Sequence, residues 1–372
     1  MSIRLSHSAS SCFQECPTKY KYRYKDRLYS KTTTGALLFG TALDKAIEVL
    51  LTTRDYDKSL IKFNEYWFEQ EINGKKERLM TSPNIVYAIS DYDQDLLSQD
   101  DIEDLYLTFN PDGKEDPKTI LETLKSICKQ REVIGIENLT KERRMLLNQS
   151  LWLILNNKAW LMIEAFKDKI LPQIEEVLSI QEKVELENED SDELVGYVDF
   201  VVRWKGLDTP VIFDLKTSAR EYEEDSVTKS PQLTLYTYCL GEKYGTNRAG
   251  FLVLNKQIRK NKTKICPKCG HCGTGTNFRK CNNEIDGERC NTDWNETISP
   301  EVYVQILIDK IPERLQEIVM DNFNNVVLSI KNNIFTRSFG SCVARYGKCD
   351  YYDVCYDNKL DKVVHLEKKE KI

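Results

Sequence analysis

The sequence predicts a mixed α/β fold, in which a mixed β-sheet flanked by helices follows an N-terminal helical region. Two observations predict it. Stretches rich in Val, Ile and Phe at 180–186, 194–204, 211–215 and 250–254 are typical of strands, and a helical pattern at 231–240 separates the last two. Upstream of these strands, apolar residues recur at helical spacing. With 372 residues, the chain is long enough to bury a large core.

The helical region begins at 35–51, where Phe39, Leu43, Ile47 and Leu50 recur at the spacing of one helical face. Residues 55–145 are charged and mostly helical in pattern, with a loop expected at 110–113. Residues 146–178 predict a long apolar helix that is interrupted near Pro172. After the sheet, residues 300–332 return to a helical pattern.

Composition divides the chain into segments of different character. These are a basic arm at 1–34, the helical region at 35–178, a sheet-containing core at 179–261 plus 297–340, a small insertion at 262–296 and a cysteine segment at 341–372. The insertion has few large apolar side chains. It therefore needs a metal to hold it together.

The charge of the chain is unevenly distributed. A net charge of −6 argues against a protein that coats nucleic acid by overall charge alone. In the basic arm, however, Lys and Arg alternate with Tyr, which suits a groove that neutralises phosphates and stacks bases. A solvated amphipathic segment is the alternative. The candidate DNA contacts are Lys19, Tyr20, Lys21, Arg23 and Tyr24.

The chain lacks the usual signs of a membrane or secreted protein. It has no apolar run of about 18 residues, and its N-terminus lacks the apolar region of a secretory signal. We therefore expect a cytoplasmic protein with no membrane contact. In that compartment the 12 cysteines are expected to be metal ligands or free thiols rather than disulfides.

Two carboxylates and a lysine end neighbouring predicted strands. Asp199 closes one apolar stretch, and Asp214 and Lys216 close the next. Acids that meet in this way form a site for a hard cation, and the lysine places a fixed positive charge beside it. The pattern predicts a centre that binds Mg²⁺, activates a water and stabilises charge on a phosphate.

Four short motifs follow one another along the chain. They are Gly40 with Asp44 and Glu48, Gly196 with Asp199, Asp214 with Lys216, and Gln232 with Tyr236. In this order they resemble the motifs of the PD-(D/E)xK nucleases, and among them those of RecB-like exonucleases and CRISPR-adaptation nucleases, including phage-encoded members. The resemblance covers roughly residues 1–255 and the C-terminal cysteines. It implies a restriction-endonuclease-like core.

The resemblance also implies a metal site. Asp199, Asp214 and the Leu215 carbonyl would hold Mg²⁺ or Mn²⁺, while Asp44 stands where the family has a histidine ligand. Aspartate is itself an oxygen ligand for these ions. Asp44 and Glu48 are four residues apart on a predicted helix, so both lie on one face.

The remaining motif residues would assist the reaction. Lys216 would orient the attacking water and offset charge on the phosphate, and Gln232 and Tyr236 would steady Lys216 or a substrate phosphate. Each residue also has a purely structural interpretation when it is taken singly. Asp44 would then be an exposed helix residue, Lys216 part of a structural ion pair, and Tyr236 a core residue.

Cysteines near both chain ends form one candidate metal site. Cys16, Cys342, Cys349 and Cys355 are similar to the four cysteines with which several relatives hold a [4Fe–4S] cluster. A structural zinc with the same four sulfurs is the alternative. Cys12 is expected to be spare.

The insertion at 262–296 carries a second candidate metal site. Cys266 and Cys269 form the tight C-P-x-C-G turn of a zinc knuckle, and Cys281 and Cys290 follow it. Four such sulfurs complete a tetrahedral Zn²⁺ site. We choose these four over the neighbouring His271 and Cys272.

The sequence therefore favours a metal-dependent DNA exonuclease acting in recombination, repair or phage replication. Its substrate would be single-stranded DNA or a duplex end. A helicase, recombinase or single-strand-binding protein would be its partner, in the host cytoplasm if the chain is phage-encoded. One alternative is a catalytically weak DNA-binding module of the same fold, and another is an RNA-directed enzyme.

Overall fold

The computed structural model describes residues 2–87, 93–110, 116–134, 138–273, 279–285, 287–344 and 347–365. Its helices are α1 (His7–Glu15), α2 (Pro17–Tyr20), α3 (Gly35–Thr53), α4 (Tyr56–Phe68), α5 (Gln99–Phe109), α6 (Thr119–Ile134), α7 (Lys141–Ala165), α8 (Pro231–Tyr244), α9 (Glu313–Lys331) and α10 (Tyr352–Asp357). Within those ranges, none of the helices combines the length and the apolar character needed to cross a membrane.

The strands fall into one large sheet and several two-stranded ribbons. The large sheet contains β1 (Arg4–Ser6), β7 (Ile174–Glu187), β8 (Glu193–Trp204), β9 (Val211–Ser218), β10 (Arg248–Ile265) and β13 (Asn295–Lys310). The ribbons pair β2 (Leu28–Ser30) with β16 (Val363–His365), β3 (Thr33–Thr34) with β6 (Ile85–Val86), β4 (Glu69–Ile72) with β5 (Lys75–Arg78), β11 (Glu284–Ile285) with β12 (Glu288–Arg289), and β14 (Val343–Ala344) with β15 (Gly347–Lys348).

The large sheet is mixed, as the sequence predicts. β8 pairs antiparallel with β7 and β9, β9 pairs parallel with β10, and β10 pairs antiparallel with β13. The parallel β9–β10 pair needs a crossover, and α8 supplies it. The predicted mixed α/β fold is therefore confirmed.

Helices cover both faces of this sheet, because the strands alternate apolar residues between them. Phe200 and Phe213 belong to a core with α3, α4 and α7, whereas Val201 and Ile212 belong to a second core with α1, α8 and α9. The sheet is thus the middle of three layers. Its strand ends are exposed at the edges of these layers, where a site can form.

Along one of its two edges, β8 pairs with two different strands, β1 and β9. β7 occupies the other edge along the whole strand. On the edge that β1 and β9 share, β1 pairs with 193–195 and β9 pairs with 200–202. Residues 196–199 therefore lie in a gap between β1 and β9, and we call this gap the fork.

Two sequence predictions about helices were wrong. Residues 300–310 belong to β13, because Val302, Val304 and Ile306 lie opposite β10 in a long antiparallel ladder. Pro312 then caps α9, which begins at Glu313. Similarly, residues 174–178 open β7, because the helix of α7 ends in a short π-helical and 3₁₀ turn before Ile174. The helical region also contains a hairpin, which β4 and β5 form. A loop was expected at 110–113, and residues 111–113 of it lie outside the described ranges.

Candidate active site

Asp199 lies at the fork and bonds across it. β8 and β9 stop pairing at Phe200 and Phe213. One position further on, Asp199 Oδ2 accepts a hydrogen bond of 2.7 Å from the backbone N–H of Leu215. The side chain therefore takes over the role of a ladder bond. It keeps the two acidic strand ends together while the strands separate.

Asp214 and Lys216 occupy one face of β9, because they are two residues apart in a strand. Lys216 Nζ lies 2.6 Å from Asp214 Oδ2. Asp214 is only 2 % exposed, whereas Lys216 is partly exposed. Burial disfavours the ammonium form, but the adjacent Asp214 carboxylate outweighs this effect and raises the pKa of Lys216. Lys216 is therefore a stable positive charge at the rim of the fork.

A directed chain of hydrogen bonds fixes the lysine. Lys216 Nζ donates to Gln232 Oε1 at 3.2 Å, and Gln232 Nε2 donates to the hydroxyl of Tyr236 at 2.7 Å. Tyr236 in turn donates to the carbonyl oxygen of Tyr197 at 2.6 Å. Gln232 and Tyr236 lie one turn apart on α8, so one helix face spans the gap between β9 and β8.

Gly196 makes room for this chain. A Cβ atom at Gly196 would lie 3.0 Å from Tyr236 Cε1 and 3.1 Å from Val184 Cγ2. Both distances are tighter than ordinary van der Waals contact. The glycine of the G-x-x-D motif therefore lets the tyrosine ring pack directly on β8.

The third acid comes from α3. Asp44 and Glu48 line a small cleft together with Asp199, Gln181 and Leu215. Glu48 is already paired with Lys45 at 2.7 Å. Leu215 thus lines the same cleft as Asp44 and Asp199.

Burial, together with repulsion from neighbouring carboxylates at Asp44 and Asp199, disfavours the ionised form of these aspartates. Burial raises the pKa of Asp44 to about 7, and the neighbouring Asp214 carboxylate contributes to this shift. Burial also raises the pKa of Asp199 and of Asp214, and repulsion from Asp214 and Asp44 adds to the shift at Asp199. Such a group is fully ionised at neutral pH only when a cation compensates it. The donor set is all oxygen, which fits Mg²⁺ or Mn²⁺.

The carboxylates are not yet gathered as tightly as direct ligands of one ion. Among the described residues, their oxygens do not form a set in which all lie within 4.8 Å of one another. Mg²⁺ commonly keeps several waters and takes only one or two carboxylates directly.

Two residues near the acids were missed by the sequence reasoning. Gln181 on β7 has a left-handed backbone, with φ of 51°, and its amide donates to Asp199 Oδ1 at 3.4 Å. His7 begins α1 directly after β1, and burial and the charge of Lys216 lower its pKa to about 4. Neither lies in a recognisable motif, because only the tertiary structure brings β7 and β1 to the fork.

The basic arm forms α2 and a π-helical turn at Lys21–Lys25. Tyr20 was expected to contact DNA, but its ring is 7 % exposed and stacks between Tyr24 and Phe335. It therefore belongs to the second core, on the face of the sheet that α1, α8 and α9 cover. Lys19 pairs with Glu15 at 2.8 Å, and Lys21 pairs with Asp26 at 2.9 Å.

The remaining two residues of the expected contact set lie against each other. The guanidinium carbon of Arg23 is 5.7 Å from the centroid of the Tyr24 ring. Both side chains are partly exposed. Arg23 and Tyr24 therefore contact each other, and the Tyr24 ring also stacks on Tyr20.

The four terminal cysteines meet in one cavity. Cys16, Cys342, Cys349 and Cys355 all line it, although more than 300 residues of chain separate the first from the rest. All are free thiols. Among the described residues they do not form a group whose sulfurs lie within 4.8 Å of one another. A single zinc would hold its sulfurs roughly 3.8 Å apart, so these four sulfurs are spaced more widely than in a mononuclear site.

The cysteines of the insertion are gathered much more closely. The sulfurs of Cys266, Cys269, Cys281 and Cys290 all lie within 4.8 Å of one another. Cys266 Sγ is 3.5 Å from Cys290 Sγ, and Cys269 Sγ is 3.6 Å from Cys281 Sγ. These separations match the geometry of one tetrahedral zinc. Cys272 is exposed and lies outside the group.

A family model described as the PD-(D/E)XK nuclease superfamily matches residues 4–96 and 102–356. The match includes the fork, Asp44 on α3, the hydrogen-bonded chain on α8 and both cysteine groups. A search of curated proteins gives no match.

Proposed function

Because this chain belongs to the PD-(D/E)XK nuclease superfamily, we propose that it is a divalent-metal-dependent DNA nuclease whose active centre is the fork. The centre consists of the acids Asp44, Asp199 and Asp214 with the lysine Lys216. The superfamily implies metal-dependent nuclease activity and DNA as the substrate. The assignment of individual residues is part of the proposal.

The observation that carries the proposal is the meeting of three aspartates, one buried and two partly buried, beside a fixed lysine. Burial raises the pKa of all three acids, and repulsion adds to the shift at Asp44 and Asp199, so their ionised forms are unfavourable unless a cation compensates them. Asp199 and Asp214, with the Leu215 carbonyl and Asp44, would hold Mg²⁺ or Mn²⁺. When bound, such an ion lowers the pKa of a water and polarises a phosphoryl oxygen.

Lys216 supplies the charge that the phosphate requires. Its ammonium is held between Asp214 and Gln232, so little reorganisation is needed when negative charge develops on the phosphate. Gln232 and Tyr236 position the lysine by the directed chain to the Tyr197 carbonyl. They do not need to touch the substrate to contribute.

We further assign the enzyme as an exonuclease in recombination, repair or phage replication, with a helicase, recombinase or single-strand-binding protein as its partner. The resemblance of the four motifs to RecB-like and CRISPR-adaptation nucleases supports this assignment. Arg23 and Tyr24 on the basic arm offer a charged and a stacking group for a DNA strand.

We assign the terminal cysteines to a [4Fe–4S] cluster and those of the insertion to Zn²⁺. The terminal cavity is lined by four free thiols whose sulfurs are spaced more widely than around a single zinc, which suits Cys₄ ligation of a polynuclear cluster. The close-set sulfurs of the insertion suit a single zinc. The first would fasten the arm to the C-terminal segment, and the second would hold the insertion together.

The test compares Lys216→Ala and Asp214→Ala with the wild type on labelled linear and circular single-stranded DNA, with Mg²⁺ and with Mn²⁺. Lys183→Ala is the matched control, because Lys183 lies on β7 in an exposed ion pair with Glu185. We expect the wild type and the control to degrade linear but not circular DNA, and both active-site variants to be inactive with unchanged circular dichroism.

Cleavage that persists in both active-site variants contradicts the proposed centre. Cleavage of circular DNA contradicts the exonuclease assignment alone. A wild-type protein that binds single strands without cutting them, with either ion, indicates a DNA-binding module instead, and a substrate panel that includes RNA separates the RNA-directed alternative.

A further inference from the structure

A second cavity lies in the helical region, far from the fork. It has a volume of about 410 Å³ and is bounded by the segment after β5 and the first turns of α7. Its apolar walls include Met80, Pro83 and Met145. This volume is within the range of small-molecule sites, roughly 300–1,000 Å³.

Two buried amides in its wall have unused acceptors. Asn148 is 6 % exposed and Gln149 is 5 % exposed. In the part of the chain that the structure describes, neither Asn148 Oδ1 nor Gln149 Oε1 has a hydrogen-bond partner. Asn148 Nδ2 donates to the carbonyl oxygen of Ile85 at 3.1 Å, so that amide is anchored on its nitrogen side. Buried side-chain acceptors are normally satisfied, and a ligand donor would satisfy these two.

The rim of the cavity is basic. Lys141 and Arg144 line it from the first turn of α7, where the helix also presents its positive end. The cavity thus combines cationic groups at its rim, thioether and proline walls, and two hydrogen-bond acceptors. A ligand that matches has an anionic group, a flat apolar body and a donor edge. A nucleotide has all three.

The cavity is remote from the cleavage centre. At the other end of α7, the Phe166 ring packs 6.4 Å from the ring of Phe200, which is next to Asp199 in the chain. From Met145 to Phe166 the helix rises about 30 Å. A nucleotide held here is therefore not the one being cleaved.

We propose that this cavity, at the end of α7 remote from the fork, is a nucleotide subsite that holds one base of the DNA strand. The base would lie between Met80 and Met145, with a donor such as the adenine amino group on the side-chain oxygens of Asn148 and Gln149. Its phosphate would lie against Lys141 and Arg144. The strand is the substrate of the proposed function, on which this assignment rests.

The test measures binding of dAMP, dTMP and deoxyadenosine to the full-length protein in EDTA by saturation-transfer NMR and calorimetry. We expect dAMP to bind more tightly than dTMP, whose edge offers a carbonyl where adenine has its amino group. Gln149→Leu removes an acceptor at similar volume and should weaken dAMP binding by about three- to tenfold.

Lys141→Ala tests where the phosphate binds, and Lys216→Ala tests whether dAMP binds at the fork instead. Lys141→Ala should weaken dAMP binding but leave deoxyadenosine unchanged, whereas Lys125→Ala, an exposed lysine of α6 outside the cavity, should change neither. Lys216→Ala should bind dAMP like the wild type.

Unchanged dAMP binding in Gln149→Leu, or loss of dAMP binding in Lys216→Ala, overturns the subsite. These readouts do not depend on cleavage. A wild-type protein that never cuts DNA but binds dAMP in the expected pattern therefore removes the proposed function and leaves the nucleotide site. A protein that cuts DNA but binds dAMP equally well in Gln149→Leu does the reverse.

Discussion

The carboxylate of Asp199 accepts the backbone N–H of Leu215 at 2.7 Å, one position beyond the last β8–β9 pair. The same acid thus has two tasks. One of its oxygens holds the two strands at the fork, and in the proposed active centre its charge would help Asp44 and Asp214 to hold the cation. These two tasks can be separated experimentally, because an amide oxygen can perform the first but not the second.

Asp199→Asn should abolish metal-dependent cleavage and retain the fold. The asparagine oxygen still accepts from Leu215, and the loss of one negative charge relieves repulsion with Asp44 and Asp214. Asp199→Ala should lose cleavage and also about 1–3 kcal/mol of unfolding free energy, because it leaves a buried N–H unpaired. Urea unfolding of both variants in EDTA measures the difference. Equal stability of the two variants would show that the Leu215 bond does not matter.

The metal-free protein should become less stable as the pH rises. The pKa of Asp44 is raised to about 7, above the value of about 3.9 expected in the unfolded chain, and that of Asp199 is raised as well. A raised carboxyl pKa means that the folded state binds the proton more tightly. Its contribution to stability is therefore present below pH 4 or so and is lost as the pH rises through about 7.

Thermal unfolding at pH 6 and pH 8, with EDTA or with Mn²⁺, measures this effect. We expect Mn²⁺ to raise the melting temperature more at pH 8, where the acids are ionised and need the cation. Asp44→Asn should reduce the pH dependence in EDTA. A variant with the same pH dependence as the wild type would contradict the assignment of the shift to Asp44.

Gly196→Ala should reduce cleavage without touching any charged group. Its Cβ would crowd the ring of Tyr236, and moving that ring disturbs the chain from Tyr197 to Lys216. We expect a loss of about 1–3 kcal/mol in stability together with a lower kcat. Gly340→Ala is the matched control, because a Cβ there meets no atom within 4 Å. A fully active Gly196→Ala enzyme would show that the packing of Tyr236 is not needed.

Cys349→Ser should remove the iron–sulfur cluster and loosen the arm. Tyr351 Oη donates to the Leu28 carbonyl at 2.7 Å, so the cysteine segment and the arm are already in contact, and the cluster would add a covalent tie. Anaerobic purification with iron and sulfide analysis and a visible spectrum measures the loss. Cys239→Ser, outside both cysteine groups, should retain the spectrum. Zinc in place of iron in the anaerobic wild type would reassign the site.

Cys281→Ser should release zinc and leave the iron content unchanged. Cys281 is buried among the other three sulfurs, and a site with three ligands holds the metal less tightly. Metal analysis by mass spectrometry and limited proteolysis of the insertion measure the effect. Cys272→Ser is the control, since Cys272 is exposed and outside the group. Equal zinc loss in the control would mean that the ligand set has been assigned incorrectly.

The sequence predicted those elements whose own pattern sets their structure. α3 and α8 were predicted from their helical pattern, and β8 and β9 from stretches rich in Val, Ile and Phe. The four motifs that these elements carry were recognisable because each one is local. Residues 300–310 of β13 were wrongly predicted as helix, because the spacing of their apolar residues fits both a helix and a strand. Only the pairing of β13 with β10 decides between the helical and the strand structure.

The amino-acid sequence by itself identified the candidate acids, the lysine and the cysteines, and the family motifs to which they correspond. The tertiary structure decided which of them meet. It brought β1 and β9 to the same edge of β8, opened the fork, and placed Gln181 and His7 beside Asp199 and Lys216. It also brought Cys16 to Cys349 across more than 300 residues. The physical reason is that side-chain type is a local property, whereas burial, repulsion between acids and ligand spacing depend on neighbours that are distant in the chain.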